Sequence, residues 1–102
     1  MKILEQSKIG TMKLRNKMYM APMGTSTDPD GSFSDRSISY YEERAKGGFG
    51  LIITGANQVT MKYEAKACNV LETPKSFEQL NFLVRRIHNQ GAKLCVQLTP
   101  GL

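Results

Sequence analysis

The sequence predicts an α/β chain: a β-hairpin followed by strands and helices in the order β-α-β-α-β, with the strands parallel. Three observations carry this. Short apolar runs at residues 18–21, 51–54 and 93–98 alternate with two longer stretches whose apolar residues recur at helical spacing. The run Leu51-Ile52-Ile53 is apolar at consecutive positions, as suits a parallel strand covered on both faces. Strands that alternate with helices imply right-handed crossovers and a parallel sheet.

The elements follow in order. Ile9 to Lys17 alternates apolar and polar residues around Gly10 and Asn16, the pattern of a small hairpin. Residues 18–21 continue as a strand that stops at Pro22, which has no N–H to give a ladder. Residues 24–34 are a loop, and Asp28-Pro29-Asp30-Gly31 has the chemistry of a type I turn. Ser34 or Asp35 caps a helix to about Lys46, with Ile38, Tyr41 and Ala45 on one face and Gly47 as the residue that ends it. Gly47-Gly48-Phe49-Gly50 lies between a helix and a strand. It therefore reads as helix termination, since phosphate-binding glycines follow a strand and open a helix. After residues 51–54 a connection without clear periodicity runs to about residue 75, long enough to suggest a functional loop. Its segment 61–66 reads as a solvated loop rather than a lid. Ser76-Phe77-Glu78-Gln79 has the form of a capping box, and Leu80, Leu83, Val84 and Ile87 give the second helix its apolar stripe. Gly91 ends that helix, and residues 93–98 form a third strand.

Composition bounds the function. The 102 residues are one domain at most, and 40% hydrophobic with 23% charged residues is ordinary for a packed globular chain. The net charge of +5 is spread along the chain, without the clustered stripe or motif of a nucleic-acid binder. Cys68 and Cys95 form no CxxC and have no histidine at ligand spacing, so no metal site is expected, and Cys95 reads as a core thiol. His88 reads as a surface or helix-end residue, and Tyr40-Tyr41 as packing for the first helix. No apolar run has the length of a signal h-region or a membrane span, which leaves no membrane partner and a cytoplasmic location as the default.

In parallel α/β folds the ligand sits at the carboxyl ends of the strands. This makes three short segments comparable: Ala21-Pro22-Met23-Gly24-Thr25, Gly55-Ala56-Asn57, and Gln97. The first two are small or apolar, so a flat ring can approach the backbone. Gln97 adds one amide with both a donor and an acceptor. Such a floor suits a planar heterocycle with imide edges, although a strand-end glutamine is also an ordinary local hydrogen-bonder.

Taken together, Ile9-Gly10-x-Met12-x-Leu14-Arg15-Asn16-Lys17, Ala21-Pro22-Met23, Tyr40-Tyr41-x-x-Arg44-Ala45-x-Gly47-Gly48-x-Gly50-Leu51-Ile52-Ile53, Gly91-Ala92-Lys93 and Gln97-Leu98 resemble the Old Yellow Enzyme family. The nearest branch is that of the bacterial NADH:flavin oxidoreductases, enoate reductases and 2,4-dienoyl-CoA reductases. The resemblance spans about residues 9–102. It implies an FMN-dependent oxidoreductase on a TIM (β/α)8 barrel, with NAD(P)H as reductant and a small enone or enoate as substrate. By the same resemblance, Ala21, Pro22, Met23, Gly24 and Thr25 lie along the flavin, Ala56 approaches it from the second strand, and Gln97 bonds its pyrimidine edge. No catalytic residue is carried over. The sequence departs from the family in having Asn16-Lys17 for the common Asn-Arg pair. It also has Gly24 where many members carry Thr or Cys, so that Thr25 is left as a partial substitute.

A full barrel needs roughly 200 residues or more. Residues 1–102 are therefore expected to be the N-terminal part of an FMN-binding TIM-barrel domain, an incomplete barrel with unpaired sheet edges. Alone, the chain is expected to bind FMN weakly or not at all. The alternative is a non-catalytic remnant or small α/β piece that needs a partner, either a second copy or the remainder of the barrel.

Overall fold

The computed structural model describes residues 2–25, 27–60 and 68–100. A 3-10 turn at Lys2–Leu4 leads into an antiparallel hairpin of β1 (Ser7–Ile9) and β2 (Met12–Leu14), registered Ser7 to Leu14 and Ile9 to Met12. Gly10 takes φ +58 at the first position of the two-residue loop, a conformation that costs glycine little.

The main sheet has the order β3-β4-β7 and is parallel throughout, with β3 at Tyr19–Met20, β4 at Leu51–Ile53 and β7 at Lys93–Cys95. Helices α1 (Asp35–Lys46) and α2 (Pro74–Asn89) make the crossovers. Side chains alternate across the sheet. Met20, Ile52 and the half-buried Leu94 face the helices and pack with Phe33, Ile38, Tyr41, Ala45, Leu83, Ile87 and Ala92. Tyr41 is fully buried, with Phe33 edge-on at 6.2 Å and Tyr40 at 5.5 Å between ring centroids.

A second parallel sheet, unforeseen from the sequence, has the order β6-β5-β8, with β5 at Asn57–Gln58, β6 at Asn69–Val70 and β8 at Leu98–Thr99. Its members lie in the connection that reads as structureless and at the end of the expected third strand. That strand is accordingly split. Residues 93–95 stay in the main sheet, and Leu98–Thr99 pair instead with Asn57–Gln58. The segment 61–66 lies outside the described residues.

The caps differ from expectation by small shifts. Ser34 caps α1 by accepting from the Ser37 N–H at 3.1 Å. Gly47 is the C-cap but is right-handed at φ −72, and the positive φ falls on Gly48 at +122. Helix α2 starts earlier than Ser76. Thr73 is its cap, Pro74 opens the first turn, and the Ser76 hydroxyl reaches back to the Thr73 N–H at 3.1 Å. Cys95 is exposed rather than a core thiol, because alternation puts it beside Ile53 on the face away from the helices. The turn at Asp28 forms as expected, with the Gly31 N–H donating to the Asp28 carbonyl at 2.8 Å.

The N-terminal edge of the sheet is held by the arm after the hairpin. The Arg15 guanidinium donates to the carbonyls of Ala45, Phe49 and Gln90, the first and last at the C-terminal ends of α1 and α2. A cation there meets the negative ends of both helices. Asn16 is buried, gives its amide to the Gly48 carbonyl at 2.7 Å and accepts from the Met18 N–H at 3.0 Å. Among the described residues no helix is long and apolar enough to cross a membrane.

Candidate functional site

The opposite, C-terminal edge gathers the segments singled out above. Residues 21–25 leave β3, Ala56 follows β4 and Gln97 follows β7, and the three strands are adjacent and parallel, so all three segments emerge on one edge. Ala21, Pro22, Met23 and Gly24 are exposed, Thr25 and Ala56 are half-buried, and the Gln97 side chain is exposed. Met23 keeps 59% of its surface accessible.

The first two segments touch. A Cβ on Gly55 would lie 2.5 Å from the Met23 carbonyl oxygen and 2.9 Å from the Gly24 Cα, so only glycine permits this approach. The β3–β4 register ends at Met20 opposite Ile52. Beyond it, the Tyr41 hydroxyl spans the two segments, donating to the Met23 carbonyl at 3.2 Å and accepting from the Gly55 N–H at 3.1 Å. The Thr25 hydroxyl is bonded to that of Ser37 at 2.7 Å, and Gly24, Thr25, Arg36, Ser37 and Tyr40 line an open groove of about 270 Å³.

The second and third segments are tied by backbone and buried side chains together. The Thr54 N–H donates to the Cys95 carbonyl and the Asn57 N–H to the Gln97 carbonyl, both at 2.9 Å. The Asn57 side-chain amide also donates to the Gln97 carbonyl at 3.2 Å and to Thr54 Oγ1 at 2.9 Å. Thr54 Oγ1 accepts from the Gln97 N–H at 3.3 Å. Both polar groups of the Gln97 backbone are therefore held, while its side chain is exposed. Thr54 and Asn57 are fully buried, and Asn57 Oδ1 has no hydrogen-bond partner among the described residues.

Tyr41 and Thr54 are not among the residues that the sequence points to as a site, and Asn57, which lies in one of the three segments, is buried behind the edge rather than on it. Tyr41 reads as packing, which it also does. The signal for its second role is that a buried tyrosine hydroxyl needs a partner. Thr54 and Asn57 bond mainly to main-chain atoms, which no side-chain pattern announces. His88 is exposed at the end of α2, and among the described residues no group of His, Cys, Asp or Glu is arranged to hold a metal.

The profile of the NADH:flavin oxidoreductase / NADH oxidase family matches residues 2–101. The chain belongs to that family. Among its relatives in the NADH:flavin oxidoreductase family, the cinnamate reductase of Clostridium sporogenes is 40% identical over 92% of this chain. The NADH oxidase of Thermoanaerobacter brockii is 36% identical over 98% of it. The structure of the Old Yellow Enzyme from Trypanosoma cruzi superposes with a TM-score of 0.81 at 29% identity, covering 95% of the chain. The chain spans 15% of the cinnamate reductase, 17% of the NADH oxidase and 26% of the solved Old Yellow Enzyme chain.

Proposed function

We propose that this chain forms one wall of the FMN site of a NAD(P)H-dependent oxidoreductase that reduces activated C=C bonds. In this reading its hairpin and β-α-β-α-β core are the first part of a (β/α)8 barrel. The observation that carries the reading is the convergence of residues 21–25, Ala56 and Gln97 on the C-terminal edge of the parallel sheet.

The residues fit a flavin ring. Ala21, Pro22, Met23, Gly24 and Ala56 offer a small apolar floor, and the close approach that Gly55 permits brings its two segments together. Gln97 offers an exposed amide, donor and acceptor together, on a backbone that is already fixed, and so matches the alternating groups of an imide edge. Thr25 would serve through a hydroxyl already shared with Ser37, and Gly24 through its N–H alone. When bound, FMN would supply the redox chemistry, accepting hydride from NAD(P)H and delivering it to the β-carbon of the alkene. The chain's own part is to bind and orient the ring and to exclude water from one side of it. The 40% identity to a cinnamate reductase favours an α,β-unsaturated carboxylate over other activated alkenes.

The test is direct. The complete gene product should purify yellow, release FMN on denaturation, and oxidise NADH or NADPH when cinnamate-type enoates or enones are added. A colourless protein that takes up no added FMN would sink the reading. A second reading, a non-catalytic piece that needs a partner chain, is favoured by one observation: Ile9 and Tyr19 lie largely exposed beside an apolar groove. Colourless protein that co-purifies with a second chain or with copies of itself would support it.

A further inference from the structure

We infer that Tyr41 is a positioning residue for the flavin floor, its hydroxyl setting the spacing between the segments after β3 and β4. The inference rests on the flavin reading above and goes beyond the residues that would touch the ring.

The two sides of the site are built differently. Between β4 and β7 the main chain itself continues to bond past the strands, through the Thr54 and Asn57 N–H groups. Between β3 and β4 the register ends at Met20 and Ile52. There a single phenol takes over, giving its proton to the Met23 carbonyl at 3.2 Å and receiving the Gly55 N–H at 3.1 Å. Only a group that is donor and acceptor at once does both, and phenylalanine at this position would do neither. The ring, on helix α1, is fully buried and packs edge-on against Phe33 and Tyr40, which fixes its place. The atoms it holds belong to the residues that carry the floor. Met23 presents its exposed side chain there, and Gly55 precedes Ala56. The approach at Gly55 leaves no room for a Cβ between the segments, and the Tyr41 hydroxyl bonds to both of them there, so loss of the hydroxyl lets them part. Tyr41 never reaches the ligand and acts through Met23 and Ala56.

The experiment compares the complete wild-type gene product with Tyr41→Phe, by FMN titration, by the visible spectrum of the bound flavin and by amide hydrogen exchange. The Gly55 amide in the variant should exchange roughly tenfold faster while Ile52, in the strand core, is unchanged, as expected when a buried N–H loses its acceptor. FMN affinity should fall roughly tenfold and the bound-flavin absorption envelope should shift, because the ring meets a displaced floor. A purely structural tyrosine would lower the melting temperature and leave that envelope as in the wild type, and this result overturns the inference. Wild-type protein that binds no FMN overturns the flavin reading, and the inference with it. Wild-type binding together with an unaltered variant overturns the inference alone. If Tyr41→Phe does not fold, the wild type decides: added FMN should slow exchange at Gly55, and an unchanged rate overturns the inference.

Discussion

Arg15 shows how much of this fold can hang on one side chain. Its Nη atoms donate to three carbonyls, at Ala45, Phe49 and Gln90, that belong to three separate turns. Removing the guanidinium leaves all three without that donor and takes a cation from two helix ends. Arg15→Ala should therefore cost about 2–4 kcal/mol in urea unfolding, given about 1.5–3 kcal/mol for a charged hydrogen bond and partial rescue by water. Arg15→Lys should recover less than half, since a point charge cannot reach three acceptors in a fork. Asp30 illustrates a smaller, titratable tie. Its carboxylate accepts the Ser32 hydroxyl at 2.6 Å and the Ser32 N–H at 3.0 Å, which hold its pKa below the ordinary carboxylate value, with Lys75 adding a little. A depressed folded-state pKa means the unfolded chain binds the proton more readily. The contribution to stability is thus present above the ordinary aspartate range and is lost as pH falls through the lowered value. Ser32→Ala should move the NMR titration of the Asp30 carboxyl upward, towards the ordinary value. No upward movement would mean that the hydroxyl is not the cause.

At the scale of elements, α2 carries the sharpest correction. Ser76 reads as its cap, but the cap is Thr73, and Ser76 is the third helical residue that bonds back to it. Thr73→Ala should then cost about 1 kcal/mol of stability, with Thr73→Ser nearly neutral. Equal stability of Thr73→Ala and the wild type would return the start of the helix to Ser76. Helices were legible here because their signal is local. Ile38, Tyr41 and Ala45, and likewise Leu80, Leu83, Val84 and Ile87, announce a buried face by spacing alone; five of them are buried, and Leu80 and Val84 are half-buried. The main strands were legible because Leu51-Ile52-Ile53 is consecutive and apolar. The second sheet was not legible, since Asn57–Gln58, Asn69–Val70 and Leu98–Thr99 are two residues each and half polar or more. They become strands only by pairing with distant partners, which local propensity does not encode. The same division holds for the candidate site. Residues 21–25, Ala56 and Gln97 follow strands that could be read, and the structure does bring them to one edge. Thr54, Asn57 and the Tyr41 hydroxyl work on backbone atoms of other segments, and a sequence does not show where those atoms will be.

The whole molecule has one finished face and one open one. Both helices cover the side of the sheet with Met20, Ile52 and Leu94. On the other side, Ile9, Leu14, Met18, Tyr19, Leu51 and Ile53 line a groove of about 350 Å³, with Ile9 at 57% and Tyr19 at 60% exposure. Among the described residues, β3 and β7 each pair only with β4, so each leaves an unpaired edge. Parallel sheets are stable when both faces and both edges are covered. In the barrel reading, further strands would pair those edges and fill that groove. Apolar surface of this kind is worth about 25 cal/mol per Å² once buried, so whatever chain is nearby will be drawn to it. Residues 1–102 expressed alone should therefore bind a hydrophobic dye such as ANS and sediment as mixed oligomers. Charged residues introduced by Ile9→Lys and Tyr19→Lys should reduce both effects, because a lysine on the open face must be desolvated before another copy can pack there. In the barrel reading a longer chain serves as the control: there the same two substitutions should instead lower stability, because the face is interior. A monomeric 102-residue chain that ignores the dye would show that the face is covered from within, and would remove the physical reason for placing further strands against it.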